Sequence, residues 1–598
     1  MGQSSSLTPA PMTTLTFTGQ RQAPALRWIV AGLILPLIIY AARAIPTLAD
    51  PAIPFDTEHT YLPLARRLLE APLAFWHNPD VLRTAPGAFV YMALAGADIV
   101  TIKSWNLALA LAAVALLFDA ARRISGPLAA ASAAWLCALS PTLITLSVWP
   151  MVEPPFLFLV ALWFWACARS LSSDTPAKAA GISLWVAGAA LALATLTRAT
   201  YMYWIPAIAF ACAIAYLWLP GQRQIWRKLI WMHLIALTCV GGYIAWNASE
   251  FDKPAIATGA GAALYFGSNP MLQGQEPPFF GLIHDSNNVT DDLGHLSIAG
   301  DARLMAATKT ILTTLPALTL AEMYAHKAAT LLFFSKSHLG RYIDRVWRVA
   351  LLILAMCGAW FGRRNPAVWV LAGAAFYQWV VHIPVLYNPR YSISALDTAL
   401  TLLAAIGIGF AWQASQRRRL IPGIAIVIAT AVFAGAWHQR YSAPALPRLD
   451  LVPHQRLQTA MPSDISVDGM QGTPFQGDGA ISPKGRFSIV WHGKFGDLDG
   501  TTLIQLKVGK MSGTCTRALL TGINQRGEER TAYIRLIEWN GKPDLAWGLA
   551  YAASHGPLDQ LRLDFECTAN TEARFSGMGL YEASLGRRVK DRAIQALQ

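Results

Sequence analysis

From Trp28 to Trp437 the chain is a succession of apolar runs, each close to the roughly 20 residues that a helix needs to cross the hydrocarbon core of a bilayer. Lipid offers no partner to backbone N–H and C=O groups, so a helix is the form that such runs take. Beyond Tyr441 charges return at the density of an ordinary soluble protein, and a domain boundary falls there. Composition agrees, since 54% of the 598 residues are hydrophobic and 14% charged. The expected fold is mainly α, a polytopic membrane protein of about eleven transmembrane helices followed by an extracytoplasmic β-sandwich.

A net charge of +13 raises the question of nucleic acid. That reading needs the cations gathered on one exposed face. Here Arg122 and Arg123, Arg169 and Lys178, Arg223 with Arg227 and Lys228, Arg363 and Arg364, and Arg417 to Arg419 occupy alternate short loops. This is the positive-inside pattern. It places the N-terminus, with Arg21 and Arg27, in the cytoplasm and, after an odd number of spans, the C-terminal domain outside; no nucleic-acid partner is implied.

Residues 1–26 read as a disordered cytoplasmic tail and residues 27–440 as the transmembrane domain, with spans expected at about 28–45, 103–121, 126–144, 154–171, 179–197, 200–219, 225–246, 346–361, 366–384, 391–412 and 420–437. Two large outer loops, 46–102 and 247–345, interrupt them. The first contains an amphipathic segment from Thr60 to Leu69 suited to the membrane surface. Because Pro63 is poorly tolerated deep in a helix, that helix is expected to begin near Tyr61 with Thr60 as its N-cap, leaving Asp56 free of capping. The second loop contains a helical stretch from Gly300 to Thr314.

Residues 441–598 alternate as strands at Phe487–Trp491, Thr502–Val508, Thr531–Trp539 and Leu561–Cys567, with turns at Asn524–Gly527 and Asn540–Pro543. Trp491, Trp539, Trp547 and Tyr551 are either core or platforms for sugar rings. Cys137, Cys167, Cys212, Cys239 and Cys357 lie in apolar spans and pack as small hydrophobes. Cys515 and Cys567 fall in the exported domain, where a disulfide between them is expected.

Polar chemistry concentrates at the outer ends of spans. Just after the first span comes Phe55-Asp56-Thr57-Glu58-His59, and later in the same loop Arg83-Thr84-Ala85-Pro86-Gly87 sets a cation before a Pro-Gly turn. Ser140-Pro141 with the outer Glu153, Leu196-Thr197-Arg198, Tyr265-Phe266-Gly267-Ser268-Asn269-Pro270 and Asn388-Pro389-Arg390-Tyr391 follow in order. Over residues 28–412 this series resembles the membrane glycosyltransferases of the GT-C superfamily, within it the protein O-mannosyltransferase and lipid A aminoarabinose transferase branch.

The resemblance implies a GT-C-like membrane domain and an inverting enzyme that uses a polyprenyl-phosphate-linked sugar. Asp56 is then the base that takes the acceptor hydroxyl's proton, while Arg83, Arg198 and Arg390 bind the donor phosphate and meet its growing charge. A charge in mid-bilayer costs roughly 2.5–3.5 kcal/mol on insertion scales, so cations at span ends invite either this role or snorkelling to headgroups. Glu58, His59 and Glu153 are candidates for acceptor contact or for a divalent metal, whose requirement stays open; Lys327, Lys336 and His338 are further candidates to meet the phosphate or to form a basic belt. The partners implied are membrane lipids and an envelope glycan, lipid or protein acceptor, and the location is a bacterial inner membrane with the C-terminal domain periplasmic. The competing reading is a transporter or lipid-linked sugar flippase, to which paired repeats and midplane charges would point.

Overall fold

The computed structural model describes residues 29–50, 53–268, 289–290, 293–314, 317–333 and 342–415, and in the C-terminal region 448–471, 475, 479–481, 486–495, 502–512, 515–534, 546–549, 557–567 and 572–588. The tail 1–26, the expected span 420–437, Asn269, Pro270, Lys336, His338, Trp539, Tyr551 and the expected turn 540–543 lie outside the described residues.

The described chain is mostly helical and polytopic. Among the described residues, seven helices are long and apolar enough to cross a membrane: Val30–Leu48, Ile99–Ser125, Glu153–Leu171, Ala177–Thr197, Ala199–Trp218, Pro220–Phe251 and Pro389–Gln413. Pro127–Leu139 and Pro366–Val381 are shorter apolar helices, and Tyr342–Phe361 brings Asp344 and Arg348 into the bundle. Local chemistry sets several of the ends. The Asp98 side chain accepts from Thr101 N–H to start one helix, which stops at Gly126 with φ +88°, and Asn365 caps another.

Small residues set the closeness of the bundle. Ala129, Ala130, Ala133 and Ala134 are buried in its core with Leu402 to Ile406. Where Tyr342–Phe361 meets Thr398–Ser415, a Cβ on Gly358 would lie 1.9 Å from Leu403 O and one on Gly407 2.3 Å from Leu354 O. Only glycine permits that approach.

Three elements differ from the sequence expectation. The span expected to reach residue 144 ends at Leu139, because Ser140 Oγ turns back to accept from Leu143 N–H at 3.0 Å and Pro141 cannot continue a helix. Residues 140–152 thus form a strap across one end of the bundle. The amphipathic helix begins earlier than expected: a π-turn over Thr57–Tyr61 runs into Leu62–Glu70, and Thr60 lies inside it rather than capping it. Leu62 N–H bonds back to Thr57 O, so the wide turn passes the missing N–H of Pro63 without a break. Asp56 makes no side-chain cap, as expected. Among its described residues the second large loop holds, besides the expected helix Ile298–Thr314, the helices Ala260–Ser268 and Ala317–Phe333.

The C-terminal strands form a six-stranded and a five-stranded antiparallel sheet. Strand Glu572–Arg588 lies between Arg448–Thr459 and Thr502–Ser512 in one, and Leu558–Cys567 lies between Arg486–Phe495 and Cys515–Asn524 in the other. Phe487 of one sheet and Phe575 of the other stack at 6.0 Å. Trp491 is fully buried against Phe495, so it belongs to the core and offers no face to a sugar. Among the cysteines of the spans, Cys137, Cys167, Cys212 and Cys357 are buried and Cys239 is exposed.

Candidate functional site

The π-turn that follows the first span places Asp56 at its start, 37% exposed, and anchors it from below: Thr57 is buried and its hydroxyl donates to Pro150 O of the strap at 2.5 Å. Across from it, Asn388-Pro389 opens a helix in the way such a pair favours, with the Asn388 side chain accepting from Arg390 N–H at 2.9 Å and Pro389 at the first helical position. This cap aims Arg390 inward. Its Nη2 donates to Asp56 Oδ2 at 2.5 Å, its Nη1 lies 3.2 Å from Met151 Sδ, and its side chain is 12% exposed.

Behind this pair stands Glu153, the first residue of its helix and 2% exposed. Its Oε1 is 3.8 Å from Arg390 Nε and 3.9 Å from Arg198 Nη1, while its Oε2 is buried with no hydrogen-bond partner. Arg198 follows the end of the Ala177–Thr197 helix and donates to Ser394 Oγ. The Tyr391 ring faces both guanidinium groups, at 4.7 Å from Arg198 and 4.9 Å from Arg390. Arg198 is 14% exposed and also lies over Phe156, so it is held inside the protein and does not reach out to headgroups. The two guanidinium groups form a small cationic surface steadied by aromatic faces.

The Pro-Gly motif contributes through packing. Pro86 opens the helix Pro86–Leu94, and a Cβ on Gly87 would lie 2.5 Å from Thr197 Oγ1 and 2.8 Å from Thr197 Cα. Gly87 thereby lets this helix press against the turn that carries Arg198.

Of the cations expected to meet Asp56, Arg390 does so and Arg83 does not. Arg83 Nε pairs with Asp80 Oδ1 at 2.9 Å, three residues back in the short helix Pro79–Arg83. Glu58 and His59 also stand apart from Glu153: both are more than half exposed, they face each other at 4.0 Å, and the His59 ring stacks on Phe55 at 4.2 Å. The metal set expected from Glu58, His59 and Glu153 is therefore not assembled, because successive residues of the π-turn point outward while Glu153 is walled in by arginines. Among the described residues no group of three or more His, Cys, Asp or Glu side chains is placed to hold a metal ion. Lys327 is buried and donates to Gly267 O and Val385 O, both at 2.6 Å, so it ties loops together rather than forming a surface belt.

Sequence reasoning missed Tyr61, His295 and a buried ion pair, Arg348 with Asp397. Burial, then the negative charges of Asp56 and Glu153, hold the Tyr61 phenol well above its usual range, so it stays a proton donor beside the carboxylates. His295 comes from the second outer loop, which is stitched to the first where the Thr258 hydroxyl lies 2.6 Å from Leu296 O and 2.9 Å from Leu82 O. Burial pulls the His295 imidazole below its usual range, the Asp56 charge opposes that pull and the Arg83 charge adds to it. No local motif announces His295. Asp397 was visible only as an acid six residues beyond Tyr391 of Asn388-Pro389-Arg390-Tyr391, inside an apolar run.

No family model matches the chain, and no curated protein matches it significantly by sequence. Solved structures similar to it include ArnT from Cupriavidus metallidurans bound to undecaprenyl phosphate, at 11% identity and TM-score 0.29 over 67% of this chain and 80% of that one. The archaeal oligosaccharyltransferase AglB from Archaeoglobus fulgidus, in complex with an inhibitory peptide and a dolichol-phosphate, is similar at 12% identity and TM-score 0.39 over 69% of this chain and 55% of that one. Both neighbours are GT-C membrane glycosyltransferases. The present chain spans a little over half the length of the archaeal enzyme.

Proposed function

We propose that this protein is an inverting glycosyltransferase that moves a sugar from a polyprenyl-phosphate-linked donor to a hydroxyl of an envelope glycan, lipid or protein at the outer face of a bacterial inner membrane. The observation that carries the reading is the contact between Asp56 and Arg390, 334 positions apart in sequence, backed by Glu153 and Arg198. It sets an accessible carboxylate beside a partly buried pair of guanidinium groups.

Such a pair of features suits displacement at an anomeric carbon. The acceptor oxygen forms the new C–O bond as the sugar–phosphate bond breaks, the hydroxyl proton passes to the Asp56 carboxylate, and the bond's electrons leave with the lipid phosphate. The leaving group is already an anion and needs no proton, so cations are what it requires. Arg390 and Arg198 supply them. Arg83 joins as donor-phosphate ligand by swinging from Asp80, which Arg67 also holds at 2.5 Å. Glu58 and His59, exposed beside Asp56, meet the acceptor. The lipid chain lies against the outer ends of the spans, with the N-terminus cytoplasmic and the two C-terminal sheets forming a periplasmic sandwich.

The test is Asp56→Asn in the full chain, reconstituted in nanodiscs, with the natural donor and product first identified by mass spectrometry of envelope glycans from a deletion strain. The variant is expected to bind undecaprenyl phosphate as the wild type does and to lose transfer by about 10²–10⁴-fold. Transfer at a near-normal rate would remove Asp56 from the role of base. Lipid-linked sugar translocation in liposomes with no transfer by the wild type would favour a flippase.

A further inference from the structure

Directly beneath the site lies a second pair of opposite charges that the proposed chemistry does not use. Arg348 and Asp397 are both fully buried and joined through Nη2 and Oδ1. The remaining groups of this pair reach toward the walls of the site. Arg348 Nη1 donates to Ser392 Oγ at 3.0 Å and to Leu331 O at 3.1 Å, and Ser392 Oγ donates to Leu331 O at 2.6 Å. Asp397 Oδ2 accepts from the Thr142 hydroxyl, which lies 3.1 Å from Ser140 Oγ at the root of the 140–152 strap.

Each of these contacts ends on a segment that carries part of the site. Ser392 is two residues from Arg390 and two from Ser394, the partner of Arg198. The segment from Ile393 to Asp397 is a π-turn, a wide form that rarely persists without outside support and is frequent at functional sites. At its far end the strap presents Pro150 O to Thr57 and Met151 Sδ to Arg390. The pair sits where two helices run in contact, with the Gly358 and Gly407 crossing ten residues further along each helix.

We propose that the buried Arg348–Asp397 pair is a positioning clamp: it fixes the Pro389–Asp397 turn and the 140–152 strap in the register that brings Arg390 onto Asp56. A buried pair replaced by apolar residues of similar volume is often neutral or stabilising for a fold. Retention of such a pair for stability alone is therefore poorly motivated here, whereas its bonds to both walls supply a reason in geometry. The clamp itself is independent of the proposed function; its consequence for a lipid phosphate rests on that reading.

The experiment uses the full chain in nanodiscs and the double variant Arg348→Met/Asp397→Leu, which removes both charges together. Thermal unfolding reads the fold, hydrogen–deuterium exchange over residues 388–397 reads the clamp, and titration with undecaprenyl phosphate reads the site. The expected result is an unfolding temperature like that of the wild type, exchange in 388–397 faster by about tenfold or more, and binding weaker by about tenfold or more. In an Arg390→Ala background the double variant should weaken binding no further, since coupled residues depart from additivity and independent ones do not. Unchanged exchange in a folded variant would overturn the clamp. Altered exchange with additive losses of binding would separate it from Arg390 and overturn its role in the site. Should the double variant fail to fold, Arg348→Lys read by the same exchange and additivity criteria decides. A wild type that binds no undecaprenyl phosphate counts against the lipid-carrier reading and leaves the exchange result to judge the clamp.

Discussion

Replacing Arg390 by alanine should separate stability from catalysis. Asp56 is 37% exposed, so on losing its partner it regains water at little cost. Glu153, 2% exposed, cannot do so. Two unit charges about 4 Å apart attract by about 4 kcal/mol at an effective dielectric constant near 20, and Glu153 has two such partners, at 3.8 and 3.9 Å. Arg198 remains, and the desolvation of Arg390 is no longer paid, so the net loss of stability should be only about 1–3 kcal/mol. Removing one preorganised group from the developing charge of a leaving oxyanion costs about 10²–10³ in kcat. The variant should therefore fold, unfold a few degrees below the wild type, and turn over about 100- to 1,000-fold more slowly. Arg390→Lys keeps a charge but is a single point donor that cannot reach Asp56, Met151 and Tyr391 together, and should recover only part of the loss. Single-turnover transfer in nanodiscs, with unfolding followed in parallel, measures both effects. Turnover of Arg390→Ala within about threefold of the wild type would refute the assignment, because the expected loss is more than tenfold larger than that.

Gly87→Ala should be disruptive despite its small size, since the added methyl meets Thr197 Cα at 2.8 Å and Leu196 O at 3.0 Å; a loss of about 1–3 kcal/mol in unfolding free energy, with reduced undecaprenyl phosphate binding through the displaced Arg198, is the expected reading. His295 gives a pH dependence: its folded value lies below its unfolded one, so the unfolded chain binds more protons as pH falls through about 6.5, and stability should decline there and recover at higher pH. Unfolding temperatures across about pH 5 to 8 should show this slope in the wild type and a flatter one in His295→Gln. Cys567 is paired in register with Cys515 across adjacent strands; alkylation followed by mass spectrometry of the protein purified from membranes should label the two only after reduction.

Seven of the expected spans, and the strands around Phe487–Trp491, Thr502–Val508 and Leu561–Cys567, were legible because a bilayer and a sheet each impose a strict period on apolar residues. The Asp56 motif and the Asn388-Pro389-Arg390 opening were legible for a different reason: charged residues at a span end, and an Asn-Pro pair that starts a helix, are conspicuous in an apolar sequence. What stayed hidden was pairing. Arg83 and Arg390 look alike as outer cations, but a nearby carboxylate, Asp80, claims the first, and only three-dimensional packing shows it. The Thr60 cap expected from sequence does not form because a π-turn satisfies the backbone by a route that no residue type announces. Arg348 and Asp397 lie 49 positions apart, on two different helices that hold other charges as well, and neither alone reveals that the other neutralises it.

Charge balance gives the hidden pairs their place in the mechanism. Asp56 and Glu153 offset Arg198 and Arg390, so the central four groups are neutral together before any donor arrives. A lipid phosphodiester adds one negative charge and its departure as a monoester adds more, in a site where the four groups are largely committed to one another. Two features can meet that excess. Arg83 can leave Asp80 without stranding it, because Arg67 holds the same carboxylate at 2.5 Å. His295, held neutral by burial and by Arg83, would be released from part of that restraint as Arg83 moves, and a phosphate nearby would favour its protonation. Donor binding should then take up protons near neutral pH. Calorimetric titration of the wild type with a polyprenyl phosphodiester, whose single negative charge does not titrate near neutral pH, in buffers of different ionisation enthalpy would show a buffer-dependent heat, and the His295→Gln variant should abolish it while still binding. A heat independent of buffer in the wild type would mean that Arg83 alone answers the added charge.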